Sequence, residues 1–255
     1  MDRKTYMRDI YSKHWGNERE NYYVFSKYDE DLFNYISSNI KNNSKILEVA
    51  VGTGPFADMF QKSGNIIHGV DISPDLIKSC ESLNPNIICK VGDAENLDYP
   101  DSMFDCTYCF HSTWYFPNIK KSIEEMLRVT SKGGLIVFDI QNENNEIIIN
   151  NYKKHKFENK GIGKIVRIIK NLMSPILGRG IPNWQFVIHE TPTNPEIIYK
   201  ILDNKNIDNY VVMKTELDAK NYPKNIIRKN GNFLEKNNPL DKFTDSARLI
   251  FAIRK

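Results

Sequence analysis

Three polar side chains stand where apolar runs end: Asp71 after IIHGV, Asp93 after IICKVG and His111 after MFDCTYCF. Ahead of them ILEVAVGTGPF, Ile46 to Phe56, passes from another apolar run into a turn with glycines at 52 and 54. Such a turn sets backbone N–H groups and a helix N-terminus at a strand end, where open α/β sheets bind ligands. Asp71 follows the turn by about twenty residues, the spacing at which a carboxylate accepts both hydroxyls of a ribose. A pyrophosphate would call for a third glycine or a basic residue, and the helix here begins PFADMF with neither. The ligand this pattern favours is a nucleoside without a pyrophosphate. A tight turn with no ligand is the alternative, and Asp71 and Asp93 would then serve as helix caps.

The elements that must position these residues alternate. Asp31 to Ile40 puts Leu32, Phe33, Ile36 and Ile40 on one helical face. Strands are expected at 45–51, 65–72, 86–91, 103–111 and 134–140, with helices at 55–62, from Pro74 to about Leu83, and at 119–129. These strands are continuous apolar runs, so both faces should be covered, as in a parallel, doubly wound sheet. After Asn142 the rhythm breaks for about fifty residues. A helix from Pro195 and strands at 210–217 and 247–254 follow, the strands separated by a polar connection and read as a long-looped antiparallel pair.

Composition excludes several classes. The 255 residues are 40% hydrophobic, enough for one domain of generous size. No window reaches the roughly 18 apolar residues of a membrane span, and the N-terminus lacks a signal-peptide stretch, so a cytoplasmic protein is expected. A net charge of +3 does not demand a nucleic-acid partner. Cys106 and Cys109 have the spacing of a metal or redox motif, but in a strand they face opposite sides. Reduced, buried thiols and no metal site are expected.

The motifs resemble those of class I S-adenosylmethionine-dependent methyltransferases of the small-molecule and quinone-type branch. ILEVAVGTGPF is similar to the first motif of that family, HGVDIS to the second, VGDAENLDYPDSMFD to the third, and LRVTSKGGLIVFDI to the segment around the fifth strand. The resemblance implies a Rossmann-like seven-stranded sheet of order 3-2-1-4-5-7-6 with the last strand antiparallel. It implies a lid and first helix over 1–42, a cofactor core over 43–142, a cap over 143–193 and completion of the sheet over 194–255, all one domain. S-adenosyl-L-methionine is the implied cofactor and S-adenosyl-L-homocysteine the product. Glu48 and the backbone from Ala50 through Gly52 to Gly54 would surround its methionine part, Asp71 its ribose, and Ile72, Asp93 and Ala94 its adenine. Phe110 and His111 would lie nearest the sulfonium. Ala50 departs from the family's usual glycine, which is tolerable if its φ is negative.

The methyl would then point toward the end of the fourth strand, CFHSTWYFPN. His111 is a candidate base and Tyr115 a second catalytic candidate, although in-line transfer can run on alignment alone. Trp114 is a candidate substrate contact, with Tyr11 and Trp15 from an aromatic N-terminal lid and Trp184 and His189 from the cap. Between Tyr152 and Gly180 eight Lys and Arg stand against one Glu. Three readings of 153–177 stay open: contact with an anionic membrane, attraction of a phosphorylated or nucleotide-linked acceptor, or a solvated helix over the site. The acceptor is expected to be a small molecule, most plausibly methylated on oxygen in a biosynthetic pathway such as surface-polysaccharide precursor modification. A lipid or quinone acceptor and a catalytically silent cofactor-binding subunit are the alternatives. A monomer or homodimer is expected, and nucleic acid is disfavoured because FHSTW stands where a base-flipping motif would follow the fourth strand.

Overall fold

The computed structural model describes residues 4–5, 8–9, 27–158, 161, 165, 190–215, 232–235 and 247–255. Helix α1 spans Lys27–Asn39; then follow β1 (Lys45–Val49), α2 (Pro55–Lys62), β2 (Ile66–Asp71), α3 (Pro74–Leu83), β3 (Ile88–Val91) and β4 (Phe104–Cys109). A 3-10 turn at Thr113–Tyr115 leads to α4 (Ile119–Val129) and β5 (Thr130–Gln141). The chain continues through α5 (Glu146–Glu158), α6 (Pro195–Asn204), β6 (Tyr210–Thr215), β7 (Asn232–Glu235) and β8 (Arg248–Arg254).

Helix starts follow their sequence signals. Ser73 accepts from the Leu76 N–H ahead of α3, and Asn118 from the Lys121 N–H ahead of α4. Proline opens α2, α3 and α6, where its missing N–H costs nothing.

The strands form one sheet of order β3-β2-β1-β4-β5-β8-β6-β7. Strands β1 to β5 pair in parallel, and β8 runs antiparallel to both β5 and β6. The expected order 3-2-1-4-5-7-6 is present, with β8 as its last strand. Strand β7, in the stretch read as a plain polar connection, adds to the outer edge of β6. Helix α5 likewise occupies part of the stretch in which the rhythm breaks.

Two apolar layers cover the sheet. Leu32 and Ile36 of α1, Phe56 and Phe60 of α2, and Ile77 and Cys80 of α3 pack on one face with Ile46, Ile67 and Tyr108. Ile123 and Met126 of α4 and Ile198 and Leu202 of α6 pack on the other with Leu47, Val49, Phe138 and Phe251. Burial of each such side chain contributes about 1.5–3 kcal/mol. Cys106 and Cys109 are buried free thiols divided between the two layers. The carboxyl ends of β1, β2, β3 and β4 are thereby held at one edge, with Asp71, Asp93 and His111 along it. Among the described residues no helix is long and apolar enough to cross a membrane, and no cluster of metal-ligating side chains occurs.

Candidate active site

The turn after β1 is set by backbone conformation. Ala50, Gly52 and Gly54 all have positive φ, at 61°, 57° and 82°. The condition under which alanine would be tolerable at 50, a negative φ, is not met: the residue sits in the left-handed region, at a cost that glycine would avoid. The turn is pinned by Val51 N–H to the Val70 carbonyl at 3.0 Å and Gly54 N–H to the Val51 carbonyl at 2.9 Å. Gly52 N–H donates to Asp71 Oδ2 at 3.0 Å, and Ser73 N–H to Asp71 Oδ1 at 2.9 Å. One carboxylate therefore ties the glycine turn to the start of α3. Burial pushes the Asp71 carboxyl above its ordinary value, and the backbone donors oppose that rise.

A cavity opens above this turn. Its walls include Ala50, Gly52, Asp71, Ile72, Asp93 and Ala94, six of the residues expected around a cofactor, together with Tyr115. Val49, Val70, Leu76, Phe116 and Pro117 supply apolar surface. A Cβ added at Gly52 would meet nothing within 4 Å, so the turn leaves open space there. Lys4 closes one side, its Nζ 2.6 Å from Asp93 Oδ2 and 2.7 Å from Glu95 Oε2. Asp93 Oδ1 accepts from the Glu95 N–H at 2.9 Å, so Asp93 caps a local turn and no helix follows it.

Among the described residues the charged walls are Asp71, Asp93 and Glu95 against Lys4. That balance repels a phosphate and complements a cationic ligand.

Glu48, Gly54 and Phe110 are not among the cavity walls. Glu48 points to the face covered by α1, α2 and α3, where its carboxylate accepts from the Tyr108 hydroxyl at 2.9 Å and from the Ala57 N–H. Burial dominates there and raises its pKa to about 8. Gly54 packs on Cys80, and Phe110 packs edge-on against Phe56 with centroids 5.4 Å apart.

The turn after β4 is built differently. His111 also has positive φ, 57°, and its N–H donates to Asp139 Oδ1 at 2.9 Å. Its Nε2 lies 2.9 Å from Asp29 Oδ1 of α1 and its Nδ1 2.6 Å from Arg248 Nη1 of β8. A guanidinium only donates, so Nδ1 must accept and Nε2 carries the proton toward Asp29. Arg248 also reaches Asp139 Oδ2 at 3.4 Å and covers the Trp114 ring at 4.5 Å. Beside this cluster Tyr115 donates its hydroxyl to Glu190 Oε1 at 3.1 Å, and Gln141 Nε2 to Glu190 Oε2 at 2.9 Å.

Residues 47–138, which carry the glycine turn, both aspartates and His111, match the family described as methyltransferase domain. That stretch resembles a methyltransferase domain. The chain has the fold of a Thermotoga maritima protein described as a SAM-dependent methyltransferase, possible histamine N-methyltransferase, with a TM-score of 0.60 at 16% identity, covering 98% of this chain and 99% of that one. The fold that the class I resemblance implies is thereby met. A malonyl-[acyl-carrier protein] O-methyltransferase of Buchnera aphidicola is 29% identical over 49% of this chain and 51% of its own. A demethylmenaquinone methyltransferase of Paenarthrobacter aurescens is 32% identical over 39% of each chain. The chain thus spans about half or less of these curated relatives.

Within and around the matched stretch, sequence motifs found the cavity edge formed by β1, β2 and β3. They missed Lys4 and Glu95 on the cavity and Asp29, Asp139 and Arg248 around His111. No local pattern marks these last three, which lie 82, 28 and 137 positions from His111. Tyr11, Trp15, Trp184 and His189, and most of 153–177, lie outside the described residues.

Proposed function

We propose that this protein transfers a methyl group from S-adenosyl-L-methionine to a small-molecule acceptor. The observation that carries this reading is the cavity, in which, among the described residues, three carboxylates outnumber one lysine, apolar walls flank Asp71, and a glycine turn leaves open space. S-adenosylmethionine is a nucleoside with a sulfonium and an ammonium group, so these walls fit it and disfavour a dinucleotide. Asp71 would hold the ribose hydroxyls, Ile72 and Ala94 the adenine faces, and Asp93 the exocyclic amine. Ala50 and Gly52 would bring backbone alongside the methionine portion, while Glu48, Gly54 and Phe110 would support the turn from beneath. When bound, the cofactor supplies an electrophilic methyl on sulfur.

On the acceptor side the reading uses His111 and Tyr115. Both His111 ring nitrogens are engaged, and accepting a proton at Nδ1 would first require Arg248 to move. The reading therefore favours alignment, with an acceptor that arrives ionised or loses its proton to water. His111 would position the β4 end, and Tyr115 with Trp114 would bound the acceptor. Residues 1–42 would serve as lid and 143–193 as cap, contributing Tyr11, Trp15, Trp184 and His189, in a cytoplasmic monomer or homodimer.

The relative named as an O-methyltransferase supports an oxygen acceptor; we place that acceptor in a biosynthetic pathway such as polysaccharide-precursor modification. The relative named for demethylmenaquinone supports a second reading, a quinone acceptor at a membrane surface.

Calorimetry with S-adenosylhomocysteine tests the first step. Binding weakened roughly 100-fold in Asp71→Ala is expected, and a wild-type protein that does not bind overturns the proposal. Methyl-labelled cofactor offered with polar metabolites and with quinones in liposomes then separates the two acceptor classes.

A further inference from the structure

The sulfurs of Cys80 and Cys89 lie 3.0 Å apart. Cys80 is on the last turns of α3 and fully buried; Cys89 is partly exposed on β3, an edge strand of the sheet. The pair sits directly beneath the glycine turn. A Cβ at Gly54 would come within 2.6 Å of the Cys80 sulfur, so that sulfur fills the space Gly54 leaves. Asn84, just past α3, bonds the Cys80 thiol and donates its Nδ2–H to the Thr53 carbonyl at 2.9 Å. One thiol thus touches the partner thiol, the turn's last glycine and the amide that holds the turn.

We propose that Cys80 and Cys89 are an oxidisable dithiol, converted by hydrogen peroxide to a disulfide that loosens the Thr53–Gly54 end of the turn and weakens cofactor binding. The Cys89 thiolate attacks the peroxide O–O bond, forming a sulfenic acid and releasing hydroxide. The Cys80 sulfur then attacks the Cys89 sulfur and its proton leaves with the departing hydroxide as water. The balance is two thiols and one peroxide to one disulfide and two waters.

Contact with Cys80 holds the Cys89 thiol below its usual value, while the same contact and burial push Cys80 up. Cys89, the more exposed of the two, is therefore the attacking thiol. A disulfide brings sulfurs to about 2.05 Å, roughly 1 Å closer than they stand. The Cys80 sulfur moves toward β3 and away from Gly54 and Asn84, and the turn loses its floor. Cys106 and Cys109 are fully buried on opposite faces, and burial pushes both thiols up, so neither competes.

The coupling to binding rests on the cofactor reading of the turn, whereas the disulfide does not. The experiment treats the full chain with a few equivalents of peroxide, alkylates it under denaturing conditions, maps the peptides, and measures S-adenosylhomocysteine affinity before and after oxidation. A single cystine joining residues 80 and 89, reversed by dithiothreitol, is expected. Affinity should fall about five-fold, the loss of roughly one hydrogen bond, and Cys89→Ser should be insensitive to peroxide. Four alkylatable thiols after treatment, or a cystine elsewhere, overturn the disulfide. Unchanged affinity in the cystine form overturns the coupling. A reduced protein that binds no S-adenosylhomocysteine sinks the cofactor reading and the coupling with it, while the peptide map alone still decides the disulfide in wild-type protein.

Discussion

The turns after β1 and β4 share an unusual feature and differ in how they sustain it. Each places a non-glycine residue at positive φ, Ala50 at 61° and His111 at 57°. Around the Ala50 turn the restraints are backbone bonds, the Asn84 amide on the Thr53 carbonyl and one carboxylate, Asp71, about twenty residues away. Around His111 they are side chains from α1, β5 and β8: Asp29, Asp139 and Arg248. Strained conformations persist where the surroundings over-determine them. The second turn is over-determined by a cluster of charges, the first is held by backbone bonds, one amide and a single carboxylate. Rigidity at the β4 end suits a floor on which an acceptor must be aligned, and a lightly held β1 turn suits a loop that closes on a ligand.

The largest effects should come from breaking the charged turn. Asp139 is fully buried, and Arg248→Met takes the guanidinium away from it and from His111. Removing one partner of a buried pair costs about 3 kcal/mol or more. Chemical denaturation of the variant should show that loss, and a change below about 0.5 kcal/mol would place the turn's rigidity elsewhere. On the β1 side, Asp71→Ala should act on ligand more than on fold. Charge-assisted bonds to the turn and to a ribose at about 1.5–3 kcal/mol each predict roughly a 100-fold weaker S-adenosylhomocysteine affinity by calorimetry. An affinity within three-fold of wild type would separate Asp71 from the ligand.

The same contrast explains what the sequence revealed. The cavity edge was legible because each of its parts is local: a glycine turn, Ser73-Pro74 at a helix start, and Asp71 at a fixed spacing. Helices α2 and α4 begin and end where proline, Asn118 and apolar periodicity place them. The His111 cluster was not legible, since only the fold brings Arg248 to a residue 137 positions earlier. The cysteines teach the same lesson. The suggestive spacing of Cys106 and Cys109 separates them across the sheet, while Cys80 and Cys89, with no motif, meet at 3.0 Å. Helix α5 escaped notice because EIIINNYKKHKFE has no clean apolar stripe, and β7 because four residues inside a polar stretch carry too little pattern.

An intermediate effect tests the support beneath the β1 turn. The Glu48 carboxyl has a pKa of about 8 in the folded protein, against an ordinary value of 4.5 when unfolded, because burial penalises its charged form. A raised folded pKa gives stability that is fully present below the unfolded value and is lost as pH rises toward and through the folded one. Wild-type stability should therefore carry a falling contribution between about pH 4.5 and pH 8 that Glu48→Gln lacks. The melting temperatures of the two proteins should be close near pH 5, with the glutamine variant pulling ahead by pH 8. Parallel curves across that range would mean that Glu48 ionises normally beside Tyr108.

The smallest effect is the sharpest comparison of the two turns. Ala50→Gly removes the methyl group's cost at positive φ, roughly 1–2 kcal/mol, against about 0.5–1 kcal/mol of added freedom in the unfolded chain. A net gain of about 0.5–1 kcal/mol follows, or a rise of a few degrees in melting temperature. His111→Gly removes the same kind of backbone cost and should nonetheless destabilise, because it takes the imidazole from between Asp29 and Arg248. Opposite signs from one substitution type at two positive-φ positions would locate the difference in side-chain restraint. Matching signs would mean that backbone strain governs both turns alike, and that the charges around His111 do not hold it.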